Sequence, residues 1–122
     1  MPISLMLSLP PSTNSLWRCD RGRVRRSSRY RLWLATAGGQ VLEQRGAAAR
    51  LLAGSLAVEV TVFERRRCDL DNRLKALLDL LEKAGVIRND SDVDWLQVTR
   101  GGKAAPGGLK TGVLVTVTEL DP

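Results

Sequence analysis

The fold and the chemistry turn on one stretch, Cys68-Asp69-Leu70-Asp71-Asn72-Arg73-Leu74-Lys75-Ala76-Leu77-Leu78-Asp79-Leu80-Leu81. Leu70, Leu74, Leu77, Leu78 and Leu81 recur at helical spacing and make one apolar stripe, so the stretch reads as a helix packed on a core. Asp71, Lys75 and Asp79 share another face at i, i+4, i+8. Gly85 is placed to cap the C-terminus, and an Asn/Asp/Ser-rich loop over residues 86–92 follows.

Upstream, Val58, Val60 and Val62 alternate with Glu59, Thr61 and Phe63, which predicts a strand over 56–63 ending in Arg65, Arg66 and Arg67. Downstream, residues 93–100 and 111–118 alternate as two further strands around a Gly/Pro-rich loop. At the N-terminus Ile3, Leu5, Leu7 and Leu9 alternate with Ser4, Met6 and Ser8, and Pro10-Pro11 ends that strand. Arg18, Arg21, Arg23, Arg25 and Arg26 then read as a mobile basic loop over 15–27, flanked by Trp17 and Tyr30, either of which could stack on bases or sit in the core. Ser27 or Ser28 caps a helix over 29–45 whose Tyr30, Trp33, Leu34, Ala37 and Val41 face inward, and residues 47–52 extend it or form a second short helix. The expected order is β-α-β-α-β-β: an α+β fold with a mixed four-stranded sheet packed against two helices, as a single domain over 1–122.

Bulk composition narrows the function. No stretch is long and apolar enough to span a bilayer and no signal peptide is evident; with only two cysteines, this suggests a reducing, cytoplasmic setting. The chain has no histidine, which excludes Cys-His zinc sites and histidine-based triads. Its net charge of +6 is split: residues 1–68 hold 12 basic and 4 acidic side chains, a net of +8, and residues 69–122 hold 7 and 9, a net of −2. Clustered arginine in the first half suits phosphate contact.

Taken singly, each acid has a plainer explanation: Asp69 and Asp71 as helix caps, Asp90 and Asp92 as turn formers, Lys75 as a helix ion-pair partner. Taken together they suit a hard divalent cation, which wants octahedral oxygen ligation from a few carboxylates, water and phosphate. A cation would also activate water in the absence of histidine, with Lys75 beside the developing phosphoryl charge. For this, the loop at Asn89 and Asp90 must return to the start of the helix, which is expected if the next strand pairs beside strand 56–63.

The run Arg65-Arg66-Arg67-Cys68-Asp69-Leu70-Asp71-Asn72-Arg73-Leu74-Lys75-Ala76, with Lys83-Ala84-Gly85-Val86, Asn89-Asp90-Ser91 and the N-terminal Leu9-Pro10-Pro11-Ser12-Thr13-Asn14, resembles the RusA family of Holliday junction resolvases. The resemblance covers most of the chain and is least clear over 38–55. It implies a Mg2+-dependent endonuclease, with Mn2+ as a substitute, acting as a homodimer on four-way junction DNA. It places the metal-binding and catalytic carboxylates on Asp69, Asp71 and Asp90, a catalytic lysine on Lys75, and DNA contacts on Asn14, Arg18, Arg21, Arg23, Arg25, Arg26, Arg65, Arg66 and Arg67. The family's doubled aspartate reads Asn89-Asp90 here and its glutamine position holds Asp92, so Asp92 stands as the alternative to Asp90 at the metal. Two other readings compete: a metal-dependent phosphodiesterase on other branched DNA or on RNA, and a non-catalytic junction-binding protein.

Overall fold

A computed structural model describes residues 2–13, 16–64, 70–102 and 111–120, leaving the side chains of Arg18 and Asp20 undescribed. Its strands are β1 (Ile3–Leu7), β2 (Trp17–Asp20), β3 (Arg23–Arg26), β4 (Leu56–Phe63), β5 (Val93–Gly102) and β6 (Gly112–Glu119); its helices are α1 (Ser28–Arg45) and α2 (Leu74–Lys83). The expected four-stranded mixed sheet is present, in the order β1-β6-β4-β5. β6 is antiparallel to both β1 and β4, while β5 runs parallel to β4. A parallel neighbour needs a crossover, and α2 supplies it.

Both helices pack on one face of this sheet. α1 buries Tyr30, Trp33, Ala37 and Val41, the spacing read from the sequence, and α2 buries Ala76, Leu77, Leu80 and Leu81. They meet Leu5, Leu7, Val58, Val60, Val62, Val113, Val115 and Val117 from the strands. Each such side chain contributes about 1.5–3 kcal/mol on burial. Ser27 caps α1 by accepting from the Tyr30 amide at 3.1 Å. Gly85, at φ +74°, turns the chain out of α2, and the Val86 amide donates back to the Leu81 carbonyl at 2.9 Å.

Three expectations are corrected. The basic segment 15–27 is not a loop through its length: Trp17–Asp20 and Arg23–Arg26 pair as an antiparallel hairpin. Arg21 and Gly22 turn it with φ of 51° and 76°, the two positive values a tight hairpin turn demands. The clustered charge hid its period-two pattern. Residues 47–52 form no helix; Leu52 is buried and bridges in parallel to Ile87. The helix of the central stretch also begins late, since Leu70–Arg73 is a 3-10 turn and the α-helix starts at Leu74.

The fourth correction bears on the site. β5 does pair beside β4, but in parallel, with Leu56 opposite Val93 and Phe63 opposite Gly102. The loop leading into β5 therefore lies where β4 begins, and the chain toward Asp71 leaves from where β4 ends. The expected return of Asp90 to the start of the helix does not occur within one chain.

Candidate active site

At the end of β4 the Leu70–Arg73 turn is fastened from two sides. Arg73 Nη2 donates to Glu64 Oε2 at 3.0 Å, with both side chains largely buried, and Nη1 donates to the Pro10 carbonyl. Thr13 Oγ1 donates to the Asn72 carbonyl at 3.0 Å. The Pro-Pro segment, unable to continue a strand, thus becomes a clamp on the acidic turn. Arg73 and Glu64 were not singled out in the sequence; their separation hid a pair that only the fold brings together.

Asp71 stands exposed on this turn, and Lys75 stands exposed in the first turn of α2. Asp79, four residues further along α2, is used differently, since its carboxylate accepts from the Tyr30 hydroxyl at 2.8 Å. Burial, followed by this bond to a carboxylate, raises the Tyr30 phenol well above its ordinary value, against a smaller opposing effect of Arg26. Tyr30 is therefore a core residue that ties α1 to α2. Trp17 remains 43% exposed, edge-on to Tyr30 with ring centres 6.1 Å apart, and is the aromatic left for stacking.

The other acidic turn, Asp90–Asp92, sits at the far end of α2. The Asp90 amide donates to Glu82 Oε1 at 3.1 Å, next to the last residue of that helix. Asn89 caps the turn, accepting from the Ser91 amide at 2.9 Å. Asp92 is buried and occupied: Arg88 donates to it through Nε at 3.2 Å and Nη2 at 3.0 Å, and the Gly54 amide adds a bond at 3.4 Å. The Arg88 bonds, with help from Gly54, hold the Asp92 carboxyl below the usual carboxylate range. The Asp90 side chain is exposed, and among the described residues none bonds to its carboxylate. Of the two alternatives, Asp90 is the one available to a ligand.

Asp71 and Asp90 are thus held at opposite ends of α2, whose ten residues span about 15 Å. Among the described residues no three acidic or cysteine side chains gather as a metal cluster. Asp69, Arg65, Arg66, Arg67 and Asn14 lie outside the described residues, as does the Arg18 side chain.

Arg21, Arg23 and Arg25 are exposed on the hairpin, while Arg26 is half-buried with its guanidinium 5.8 Å from the Tyr30 ring centre. A cleft between α1 and α2 gathers Arg26, Arg31 and Lys83 over Leu34 and Leu80. Arg31 and Lys83 were absent from the expected contact residues, because their convergence depends on how the helices pack.

Comparison with known proteins adds a second line of support. The family model described as Endodeoxyribonuclease RusA matches residues 8–118. A crossover junction endodeoxyribonuclease RusA of Aquifex aeolicus is 40% identical over 93 residues, covering 73% of this chain and 72% of that protein. The protein of the same description from Enterobacteria phage HK97 is 35% identical over 122 residues, covering 93% of each. That of Escherichia coli K12 is 31% identical over 105 residues, covering 82% of this chain and 88% of its own.

Proposed function

The chain belongs to the RusA family of crossover junction endodeoxyribonucleases, and on that premise we propose that two copies act together on a four-way DNA junction, each cleavage site drawing carboxylates from both. The observation that carries this reading is the placement of Asp71 and Asp90 at opposite ends of α2. A divalent cation needs several oxygen ligands at once, and these two carboxylates cannot both reach one ion inside a single chain. In a two-fold dimer, Asp69 and Asp71 of one copy meet the partner subunit's Asp90, and the symmetry generates a second such site. Two sites related by a two-fold axis suit a junction whose opposing strands are cut symmetrically.

The exposed carboxylate of Asp71, that of Asp90, which no described residue bonds, and Asp69, two positions before Asp71 in the sequence, make an all-oxygen donor set of the kind that suits Mg2+, with Mn2+ expected to substitute. When bound, such a cation supplies Lewis-acid charge at the scissile phosphate. Lys75, exposed in the first turn of α2 four residues after Asp71, is suited by its charge to stabilise negative charge developing on the phosphoryl oxygens. Arg73, held by Glu64 and Pro10, keeps the acidic turn in place. Hydrolysis adds one water across a P–O bond, leaving a phosphate monoester on one side of the nick and a hydroxyl on the other. The hairpin arginines and the Arg26, Arg31 and Lys83 cleft hold flanking phosphates, which orient the junction without reading its sequence.

The test is a nicking assay on a synthetic four-way junction with Mg2+, with linear duplex and single-stranded DNA as controls. Paired symmetric cuts in the junction alone, lost in Asp71→Asn with binding retained, are the expected result. Tight binding by wild type without cutting, in Mg2+ or Mn2+, contradicts the catalytic reading. Equal cutting of the linear controls contradicts the junction reading.

A further inference from the structure

Asp79 stands between two lysines of α2, Lys75 four residues before it and Lys83 four residues after. Residues at that spacing are neighbours on a helix surface, where a carboxylate and an ammonium attract. A third cation is near: the Arg26 guanidinium lies 5.8 Å from the ring centre of Tyr30, the residue bonded to Asp79. Yet among the described residues the one hydrogen bond to the Asp79 carboxylate comes from a neutral group, the Tyr30 hydroxyl at 2.8 Å, and no ion pair links Asp79 to any of the three cations. Lys75 and Lys83 stand exposed, and no described residue engages either ammonium.

The donor is held firmly. Tyr30 is fully buried, its amide donates to Ser27 Oγ at 3.1 Å, and Trp17 packs edge-on against its ring with centres 6.1 Å apart. Burial, and then the bond to Asp79, keep the phenol protonated well above its ordinary value, so it remains a donor. A hydrogen bond to a charged acceptor outweighs an exposed ion pair between residues four apart on a helix.

We propose that Tyr30 is a positioning residue for cleavage: by holding Asp79 with a neutral donor, it leaves Lys75 to the reacting phosphate and Lys83 and Arg26 to flanking ones. The inference rests on the phosphate roles proposed above for those three cations. Where an arginine takes the acid, as Arg88 takes Asp92, that cation is spent on the fold. With no donor at all, the half-buried Asp79 carboxylate turns to the lysines on either side of it and withdraws their charge from the DNA.

The test starts from Tyr30→Phe, which removes only the hydroxyl. Single-turnover cleavage of a four-way junction with Mg2+ is expected to fall about tenfold and junction affinity a few-fold, with the fold unchanged by circular dichroism. Adding Asp79→Asn removes the carboxylate charge at nearly constant size and is expected to restore both to near the wild-type level. Asp79→Asn alone, whose carboxamide oxygen still accepts from Tyr30, should cut like wild type. A double variant no better than Tyr30→Phe shows a tie between helices and nothing more, and overturns the proposal. A second readout needs no activity: acylation of lysines in the folded chain, followed by mass spectrometry. Lys75 and Lys83 should react more slowly in Tyr30→Phe and at the wild-type rate in the double variant. They should also react equally in wild type and Asp79→Asn. Faster reaction in Asp79→Asn means that Asp79 reaches the lysines despite Tyr30, and overturns the proposal even if Tyr30→Phe does not fold. Lys75→Ala separates the two readings. If it cuts at the wild-type rate, the role proposed above for the lysine falls, and with it the need to protect that lysine. If it is inactive while the double variant stays low, only the role of Tyr30 falls.

Discussion

The two ends of the sheet each carry a short acidic turn fastened by an arginine, and they use that arginine differently. At the end of β4, Arg73 takes its carboxylate from Glu64, outside the turn, so Asp71 stays open. At the start of β5, Arg88 takes Asp92 from within the turn, and Asp90 beside it stays open. In both places one acid is spent on holding the backbone and another is left for a ligand. Counting acids in a motif therefore overstates the ligand set; the arginine partners sort them. Among the described residues each end presents one open acid, and the function proposed above combines the two ends in a pair of copies.

The largest effects separate the open acids from the occupied ones. Asp71→Asn and Asp90→Asn are each expected to lower junction cleavage by about a thousandfold or more, the size of several kcal/mol of lost transition-state stabilisation, while gel-shift binding persists. If either variant cuts within a few-fold of wild type, that acid is not a ligand.

Next is the clamp. Arg73→Ala leaves the largely buried Glu64 carboxylate without its ion-pair partner, a change expected to cost about 3 kcal/mol of stability by denaturant unfolding and to slow cleavage. Arg73→Lys should recover part of both, and a stability unchanged in Arg73→Ala would show that the turn is not fastened there.

Asp92→Asn should cut at close to the wild-type rate yet unfold at a lower temperature near neutral pH. Because Arg88 and Gly54 depress the Asp92 carboxyl in the folded state, its contribution is complete above the ordinary carboxylate value. It is lost as the pH falls through the lower folded value. The gap in thermal midpoint between wild type and Asp92→Asn should therefore close in acid, below about pH 3.8. An Asp92→Asn chain as inactive as Asp90→Asn would erase the distinction between the two acids.

The smallest effects belong to the hairpin. Arg23→Ala and Arg25→Ala should each weaken junction binding a few-fold and reduce the slope of log affinity against log salt by about one. A slope unchanged by both would move the phosphate contacts elsewhere, with the Arg26, Arg31 and Lys83 cleft the next surface to test.

Periodic features were legible in the sequence because one face of each element is buried. The valines of β4 and β6 and the stripe of α2 announced themselves, and so did the capping by Ser27 and Gly85. The hairpin was not legible, since neither of its faces is apolar throughout and its arginines mask the alternation; only Arg21-Gly22 marks the turn. The candidate acids were visible as a motif, but their separation was not. It follows from one topological fact, the parallel pairing of β4 with β5, which local pattern does not encode. Likewise Glu64 with Arg73, and Tyr30 with Asp79, join residues that no spacing rule connects.

The most direct test of the shared site mixes two inactive chains. Asp71→Asn and Asp90→Asn copies, each unable to cut alone, are co-refolded or co-expressed and assayed on a four-way junction with Mg2+. In a mixed dimer with shared sites, one site takes both substitutions and the other takes neither, so nicking is predicted to return, one strand per junction. If each site belonged to a single chain, every site in the mixture would carry one substitution. Cleavage would then stay at the level of the separate variants, contradicting the shared site.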